Sequence, residues 1–490
     1  MTPQGRYNIK YVLLICAVSA LGGLLFGYDT AVISGAIGPI KSYFGLDAFG
    51  VGWAVSNVAI GCIIGAFAAG TIAGKLGRKK ALLLAALLFT VSAIGSALVD
   101  TFFWFIVYRL IGGVAVGLAS AVSPMYMSEV SPKDMRGRAI GMQNFAIVFG
   151  QVVIFSINYL IAKGATEAWL VDMGWRVMLG SEVIPCLLFC LVVSFIPESP
   201  RWNVMQGNDA AALATLRRIY NGPYPEKVLK EIKLSLNQRR LEQQQKRKLN
   251  YRNDRVFWFI AFVGCMIAIL QQATGVNVMM YFAPVVLEQA TGNNEAALFM
   301  TIWIGVIQLI GTSIGAFLMD RVGRVPLLRI GAIGSTAGLL VTSYFLYQSA
   351  DLSGAEAVRN GYFILSGMLL FMLFFAVSWA VGAWVVISEI FPNRMRSEGM
   401  SLAVSAMWVS NFIIGLGFPL MNGNAFLLEH FHGAFPMWLF AGCCVLAYFF
   451  VTRFLPETKG VPLEQMEETM LTKTNLEARE VPVEMARANG

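Results

Sequence analysis

Apolar stretches of about 20 residues recur along nearly the whole of this 490-residue chain, and they constrain its fold more than any other feature. Twelve can be read: 11–39, 51–73, 81–99, 102–123, 139–162, 177–196, 256–289, 296–318, 327–348, 361–388, 399–421 and 434–455. At about 1.5 Å per helical residue, each is long enough to cross a hydrocarbon core of roughly 30 Å. In hydrocarbon every backbone N–H and C=O must be satisfied within the protein, so only helices and closed barrels can span. Barrel strands would show segments of about ten residues with alternating polarity. These runs are longer and apolar throughout, which predicts an all-α membrane protein. Only 13% of residues are charged and mean hydropathy is +0.64. A soluble domain carries about 25% charge.

Lys and Arg set the predicted orientation. They gather after span 2 (Lys75, Arg78, Lys79, Lys80), span 4 (Lys133, Arg136, Arg138), span 8 (Arg321, Arg324, Arg329) and span 10 (Arg394, Arg396). The alternate loops are poor in them. The positive-inside rule therefore places these loops in the cytoplasm, and an even number of spans places both termini there. The first run, Tyr11 to Ile40, is too long for a signal-peptide core and lacks a small-residue cleavage site, so it reads as span 1. The seven cysteines all fall in apolar runs and read as small fillers, without disulfide or metal spacing.

Residues 198–255 form a polar segment with 13 Lys/Arg against 6 Asp/Glu, which holds most of the chain's net charge of +8. Its stretch "EKVLKEIKLSLNQRRLEQQQKRK" has helical spacing, so a cytoplasmic helical linker near the anionic lipid surface is expected. No aromatic residues interleave with the basic ones of that stretch as in a nucleic-acid groove, which argues against that class of partner.

The two sides of this linker repeat one another. "GKLGRKKALL" after span 2 matches "DRVGRVPLL" after span 8. "SEVSPKDMRG" after span 4 matches "SEIFPNRMRS" after span 10, and "PESPRW" after span 6 matches "PETKG" after span 12. Three motifs in register describe a duplication: a six-helix half over 1–197, the linker over 198–255, a second six-helix half over 256–456 and a tail over 457–490. Duplicated halves with a site between them near the midplane are a carrier design.

These motifs, with "QQATGVN" in span 7, make the chain resemble the sugar porter branch of the major facilitator superfamily from about residue 11 to 460. The likeness is greatest to the bacterial D-xylose:proton symporters and smaller to the animal glucose facilitators. The resemblance implies the major facilitator fold and a monomer in the cell (inner) membrane. It implies alternating access for a monosaccharide, with protons as the coupled ion, and no cofactor.

Three groups of residues follow. Arg78, Arg136, Arg324 and Arg396 can reach Glu129, Glu389, Glu198 and Glu457 at the cytoplasmic face. Exposed ion pairs are each worth about 0–1 kcal/mol, suited to a breakable gate, and the resemblance implies that these close the inner end. Gly74 departs from the family's usual Asp or Asn, which is expected to weaken the first-half latch.

Asp29, Arg109 and Glu182 lie inside the apolar runs of spans 1, 4 and 6, at similar distances from the outer ends. A lone charge at mid-bilayer costs at least about 2.5–3.5 kcal/mol, so such groups pair or face water. A pair of Asp29 and Arg109 with Glu182 nearby is therefore expected. An opposite charge favours an ionised carboxylate and burial favours a neutral one, so changing access would bind and release a proton. The resemblance agrees, since proton-coupled sugar porters carry Asp at this position and the passive facilitators carry Asn.

Gln271, Gln272, Asn277 and Tyr281 cluster in "LQQATGVNVMMYFAP", where Gly275 and Pro284 permit a helix break. Amides offer donors and acceptors together, which suits neutral sugar hydroxyls. Gln308 stands where sugar porters carry an amide. Together with Gln151, Phe26, Trp384 and Trp408, these are the sugar contacts that the resemblance implies; a Trp face packs on a sugar ring. Met407 replaces a Gln of the xylose symporters, which leaves the sugar open. "WAVGAW" replaces a Gly-Pro run, leaving Gly382 as the expected flexible point of span 10.

No Ser/His/Asp set, P-loop or metal spacing points to an enzyme or a metal protein, and His430 and His432 sit near an outer loop. Two rivals to the symporter remain: a passive uniporter, in which Asp29 is a strut, and a transport-dead sugar sensor.

Overall fold

The computed structural model describes residues 7–246, 255–349, 352, 354–392, 395–461, 466, 469 and 470. Arg394 and most of the tail lie outside them. Among the described residues, twelve helices are long and apolar enough to cross a membrane: Ile9–Phe44, Ala48–Leu76, Arg78–Leu98, Phe102–Val130, Lys133–Ala162, Glu167–Val193, Arg255–Tyr281, Asn294–Met319, Arg324–Gln348, Glu356–Ile390, Glu398–Asn422 and Phe435–Phe454. These are spans 1 to 12 of a multi-pass membrane protein, in two six-helix halves. Most extend past the expected bounds. Span 6 starts ten residues earlier than its hydropathy indicated, because Glu167 and Asp172 lower the polarity contrast while Thr166 caps the helix by accepting from Trp169 N–H.

The basic loops, Tyr7 and the linker share one end of the bundle, here the basic end. The turns into spans 3 and 9 pass through Gly77 (φ 94°) and Gly323 (φ 100°), a backbone conformation open to glycine and strained for other residues. The next residue in each case opens a helix whose first N–H groups face a carboxylate. Arg78 N–H donates to Glu198 Oε1 at 2.9 Å, and Arg324 N–H donates to Glu457 Oε1 at 2.9 Å. Anions at a helix N-terminus meet the positive end of the helix dipole. The recurring Gly-Arg and Pro-Glu motifs are thus two halves of one device, used once in each repeat.

Lipid offers no hydrophobic drive for helices to associate, so close backbone approach matters. Spans 2 and 4 meet through Gly61, Gly65, Gly113 and Gly117. A Cβ at Gly61 would come within 2.3 Å of Leu110 O, and one at Gly113 within 2.2 Å of Val58 O. This zipper fixes span 4, and with it Arg109. Span 1 is set equally closely on span 5, where a Cβ at Gly27 would overlap Ile147 O.

The linker contains helices Pro200–Met205, Asp209–Ile219 and Tyr224–Lys246. It is tied to the first half by an isolated bridge between Tyr7 and Tyr220, by Asn8 N–H donating to Ile219 O at 2.8 Å, and by the exposed Lys133–Glu231 pair at 3.0 Å.

Candidate functional site

The three intramembrane charges meet. Arg109 Nη1 donates to Asp29 Oδ1 at 2.9 Å, and both guanidinium amines reach the Asp29 carbonyl at 3.3–3.4 Å. Asp29 and Arg109 are completely or almost completely buried, and Glu182 is buried near enough for its charge to act on Asp29. Span 6 delivers Glu182 at a break. Pro185 has no N–H to return to Ser181 O, and the helix resumes only at Val183. Tyr28 and Ser181 join hydroxyls at 2.7 Å and fix that corner to span 1. Among the described residues, Asp29 Oδ2, Glu182 Oε1 and Arg109 Nε have no hydrogen-bond partner within the protein. Two buried carboxyls and one guanidinium gather here, Asp29 alone pairing directly with Arg109, so a single proton on the carboxyls would neutralise the cluster.

A cavity of about 380 Å³ lies between the halves next to this cluster, within the size range of small-molecule sites. All nine residues expected to touch sugar line it: Phe26 and Gln151 from the first half, and Gln271, Gln272, Asn277, Tyr281, Gln308, Trp384 and Trp408 from the second. Span 7 breaks where its sequence allows: Gly275 has φ 86°, and the helix restarts at Val276. Asn277 Nδ2 donates to Gln272 Oε1, and Gln272 Nε2 reaches Gln271 Oε1 at 3.4 Å. Tyr281 lines the cavity with Asn411 and lies close enough to Asp29 and Arg109 to sense their charges, so the cavity and the buried ion pair are neighbours.

The cavity opens toward the basic end and is closed at the other. Its lining includes Ser120, Pro124, Ile140 and Asn144 from the basic-end portions of spans 4 and 5, and Trp384 is 45% exposed there. At the opposite end the halves are zipped. Trp53 meets Phe412 edge to face at 5.8 Å, and Tyr159 meets Phe299 at 5.4 Å. Gly52 admits Leu416 so closely that a Cβ would lie 2.8 Å from Leu416 O. Phe282 packs on Phe418 at 4.9 Å beneath a vestibule lined by both halves.

Two of the basic-end arginines pair with glutamates that the loop motifs indicated, but less exposed than expected. Arg78 makes a forked pair with Glu129 (2.8 and 2.9 Å), and Arg324 does the same with Glu389 (3.1 and 2.9 Å). Both pairs lie within one half. The first is almost wholly shielded, its side chains 8% and 9% exposed, and the second is partly so, at 11% and 26%. Exposed, cheaply broken pairs were expected. The tight Gly turns instead press each Arg against its own half, where Glu198 and Glu457 hold helix N-termini. Arg136 and Arg396 have no ion pair with another described residue. The carbonyl of Gly74 accepts the Trp202 indole N–H at 2.9 Å.

Span 10 also departs from expectation. It breaks at Ser378, between helices Ala355–Val377 and Trp379–Ile390, rather than at Gly382, which packs against Leu328 and Met319. Three amide-bearing lining residues were missed: Gln143, Asn144 and Asn411. Asn144 precedes Gln151 by seven residues, two helical turns, so the spacing pointed to it. Nothing in the sequence separates Gln143 from an amide used as helix glue. In the structure both its amide atoms lack a protein partner, as do Gln151 Oε1 and Gln308 Oε1.

Twelve spans in paired halves around an amide-rich cavity open at one end define a membrane carrier rather than an enzyme. A family model described as "Sugar (and other) transporter" matches residues 15–470. The chain is 37% identical to the D-xylose-proton symporter of Escherichia coli (strain K12), over 94% of this chain and 96% of that protein. It is 36% identical to the glucose transport protein of Synechocystis sp. (strain ATCC 27184 / PCC 6803 / Kazusa), over 94% and 98%. Its fold matches the partially occluded inward open conformation of the xylose transporter XylE from E. coli with TM-score 0.79 and 36% identity, covering 92% of this chain and 100% of that one. The chain belongs to the sugar transporter family, within the major facilitator fold.

Proposed function

We propose that this protein is a proton-coupled monosaccharide importer of the cell (inner) membrane, with the basic end and both termini in the cytoplasm, working by alternating access on D-xylose or a related pentose or hexose. The observation that carries this reading is the buried Asp29–Arg109–Glu182 cluster beside an amide-lined cavity. Relatives of comparable identity are named for xylose and for glucose, which supports a monosaccharide and leaves the sugar to experiment.

The roles follow from chemistry. Asp29 carries the proton, Arg109 holds its carboxylate ionised when the proton leaves, and Glu182 shares the proton within the cluster. Gln151, Gln271, Gln272, Asn277 and Gln308 bond sugar hydroxyls, while Phe26, Trp384 and Trp408 supply apolar faces. With the opposite end zipped, the conformation described is the one that releases sugar to the cytoplasm. The forked Arg–Glu pairs brace each half so that the halves move as units.

The test is uptake into proteoliposomes over a panel of pentoses and hexoses, with and without an imposed pH gradient. Concentrative uptake that follows the gradient is expected. Uptake indifferent to the gradient would establish a passive uniporter, with Asp29 as a strut. Sugar binding without counterflow would establish a sensor.

A further inference from the structure

The break in span 10 is made without glycine or proline. Ser378 has φ −118° and ψ −75°, and its hydroxyl donates to Phe374 O at 2.6 Å. The next residue, Trp379, is wholly buried and is held at two points. Its indole N–H donates to Leu328 O of span 9 at 3.0 Å. Its carbonyl accepts from Gln271 Nε2 at 3.1 Å.

The second bond has a directional consequence. A carbonyl can only accept, so Gln271 must turn its amide NH₂ toward Trp379 and its oxygen the other way. That oxygen then takes the Gln272 NH₂, and the Gln272 oxygen takes the Asn277 NH₂. Three amides at the cavity are thereby aligned by one backbone carbonyl. The Asn277 oxygen, and the second N–H of each amide, are left for a ligand. Aligned hydrogen bonds reinforce one another, and an amide turned the wrong way would oppose two donors or two acceptors.

We infer that Trp379 is a positioning residue. It anchors the amide relay to the break at Ser378, so the sugar-binding groups are correctly oriented only while span 10 keeps this bend. Sugar affinity and the bend of span 10 are then linked through Gln271, with no ligand contact at Trp379 itself. The inference rests on the proposed sugar role of Gln271 and Gln272.

The test is a double-mutant cycle on the full chain, reading equilibrium binding of radiolabelled D-xylose and D-glucose. Trp379→Phe keeps an aromatic ring and removes the bond to Leu328. Alone it is expected to weaken binding at least about fivefold, and Gln271→Leu alone at least about tenfold. In the Gln271→Leu background, Trp379→Phe should add less than about twofold, since residues acting through one another are not additive. Equal effects of Trp379→Phe in both backgrounds, or no effect in the unmodified chain, would overturn the inference. If Gln271→Leu itself leaves binding unchanged, the sugar-site reading fails first. Should Trp379→Phe not yield monodisperse protein, Ser378→Ala takes its place. It acts on the same bend, and the same non-additivity is required.

Discussion

Asp29→Asn tests the proposed coupling most directly. The substitution keeps the shape and leaves an oxygen to accept from Arg109, now 2.9 Å away. It changes the charge. With both carboxyls ionised, the cluster of Asp29, Glu182 and Arg109 carries a net −1, and one proton neutralises it. In the variant Glu182 alone balances Arg109, so the cluster is neutral without a proton throughout the cycle. A gradient of one pH unit supplies about 1.4 kcal/mol and 100 mV about 2.3 kcal/mol per charge. Together they support roughly 500-fold accumulation of a neutral sugar by the unmodified chain and none by the variant. Exchange of labelled sugar should persist, since Asp29 does not line the cavity. The fold should also survive. Removing one partner of a buried pair costs about 3–5 kcal/mol when the other is stranded, and here the Asn oxygen still accepts from Arg109 while buried Glu182 balances its charge. That penalty should appear in full only in Asp29→Asn combined with Glu182→Gln. The assays are gradient-driven uptake, counterflow in proteoliposomes and thermal unfolding in detergent. Accumulation retained by Asp29→Asn would refute the reasoning.

Two further outcomes concern the cavity. Gln272→Ala leaves Asn277 and the sugar hydroxyls without a partner in a shielded site, so binding should weaken at least about tenfold in a direct binding assay. Met407 is buried and lines the cavity beside Trp408. Met407→Gln adds a polar group there and should move the ratio of D-xylose to D-glucose uptake toward D-xylose; an unchanged ratio would show that the position does not select.

The membrane fold was legible because hydropathy over about 20 residues is a direct physical demand of the bilayer. The charge cluster was legible for a related reason: Asp29, Arg109 and Glu182 are too costly in hydrocarbon to stand apart. Other features depend on partners remote in sequence. Nothing local to "AVSWAV" marks Ser378 as the break, since it is stabilised from outside by Leu328 and Gln271. Gln143 is distinguished from a packing amide only by what surrounds it. The beginning of span 6 was missed because two carboxylates at its polar edge carry more weight in a hydropathy average than in a capped helix.

The basic-end motifs show the limit of reading partners from loop position alone. The paired Arg and Glu loops suggested exposed, cheaply broken pairs, yet each fork closes inside one half and the first is almost wholly shielded. A brace and a latch respond differently to one substitution. Arg78 holds Glu129 with two nitrogens and the Ala73 carbonyl, at 3.1 Å, with a third. Lysine is a point charge on a flexible stem and cannot reproduce that fork. If the pair is a brace, Arg78→Lys loses about 1–3 kcal/mol of stability, as hydrogen bonds to charged groups do. Its melting temperature in detergent falls while the balance between inward- and outward-facing states stays put. If the pair is a latch, the melting temperature holds and the balance shifts, because the stabilised state alone is lost. Distances between spin labels at the two ends of spans 4 and 10, measured beside the thermal melt, separate the two. A shifted distance distribution at unchanged melting temperature would defeat the brace.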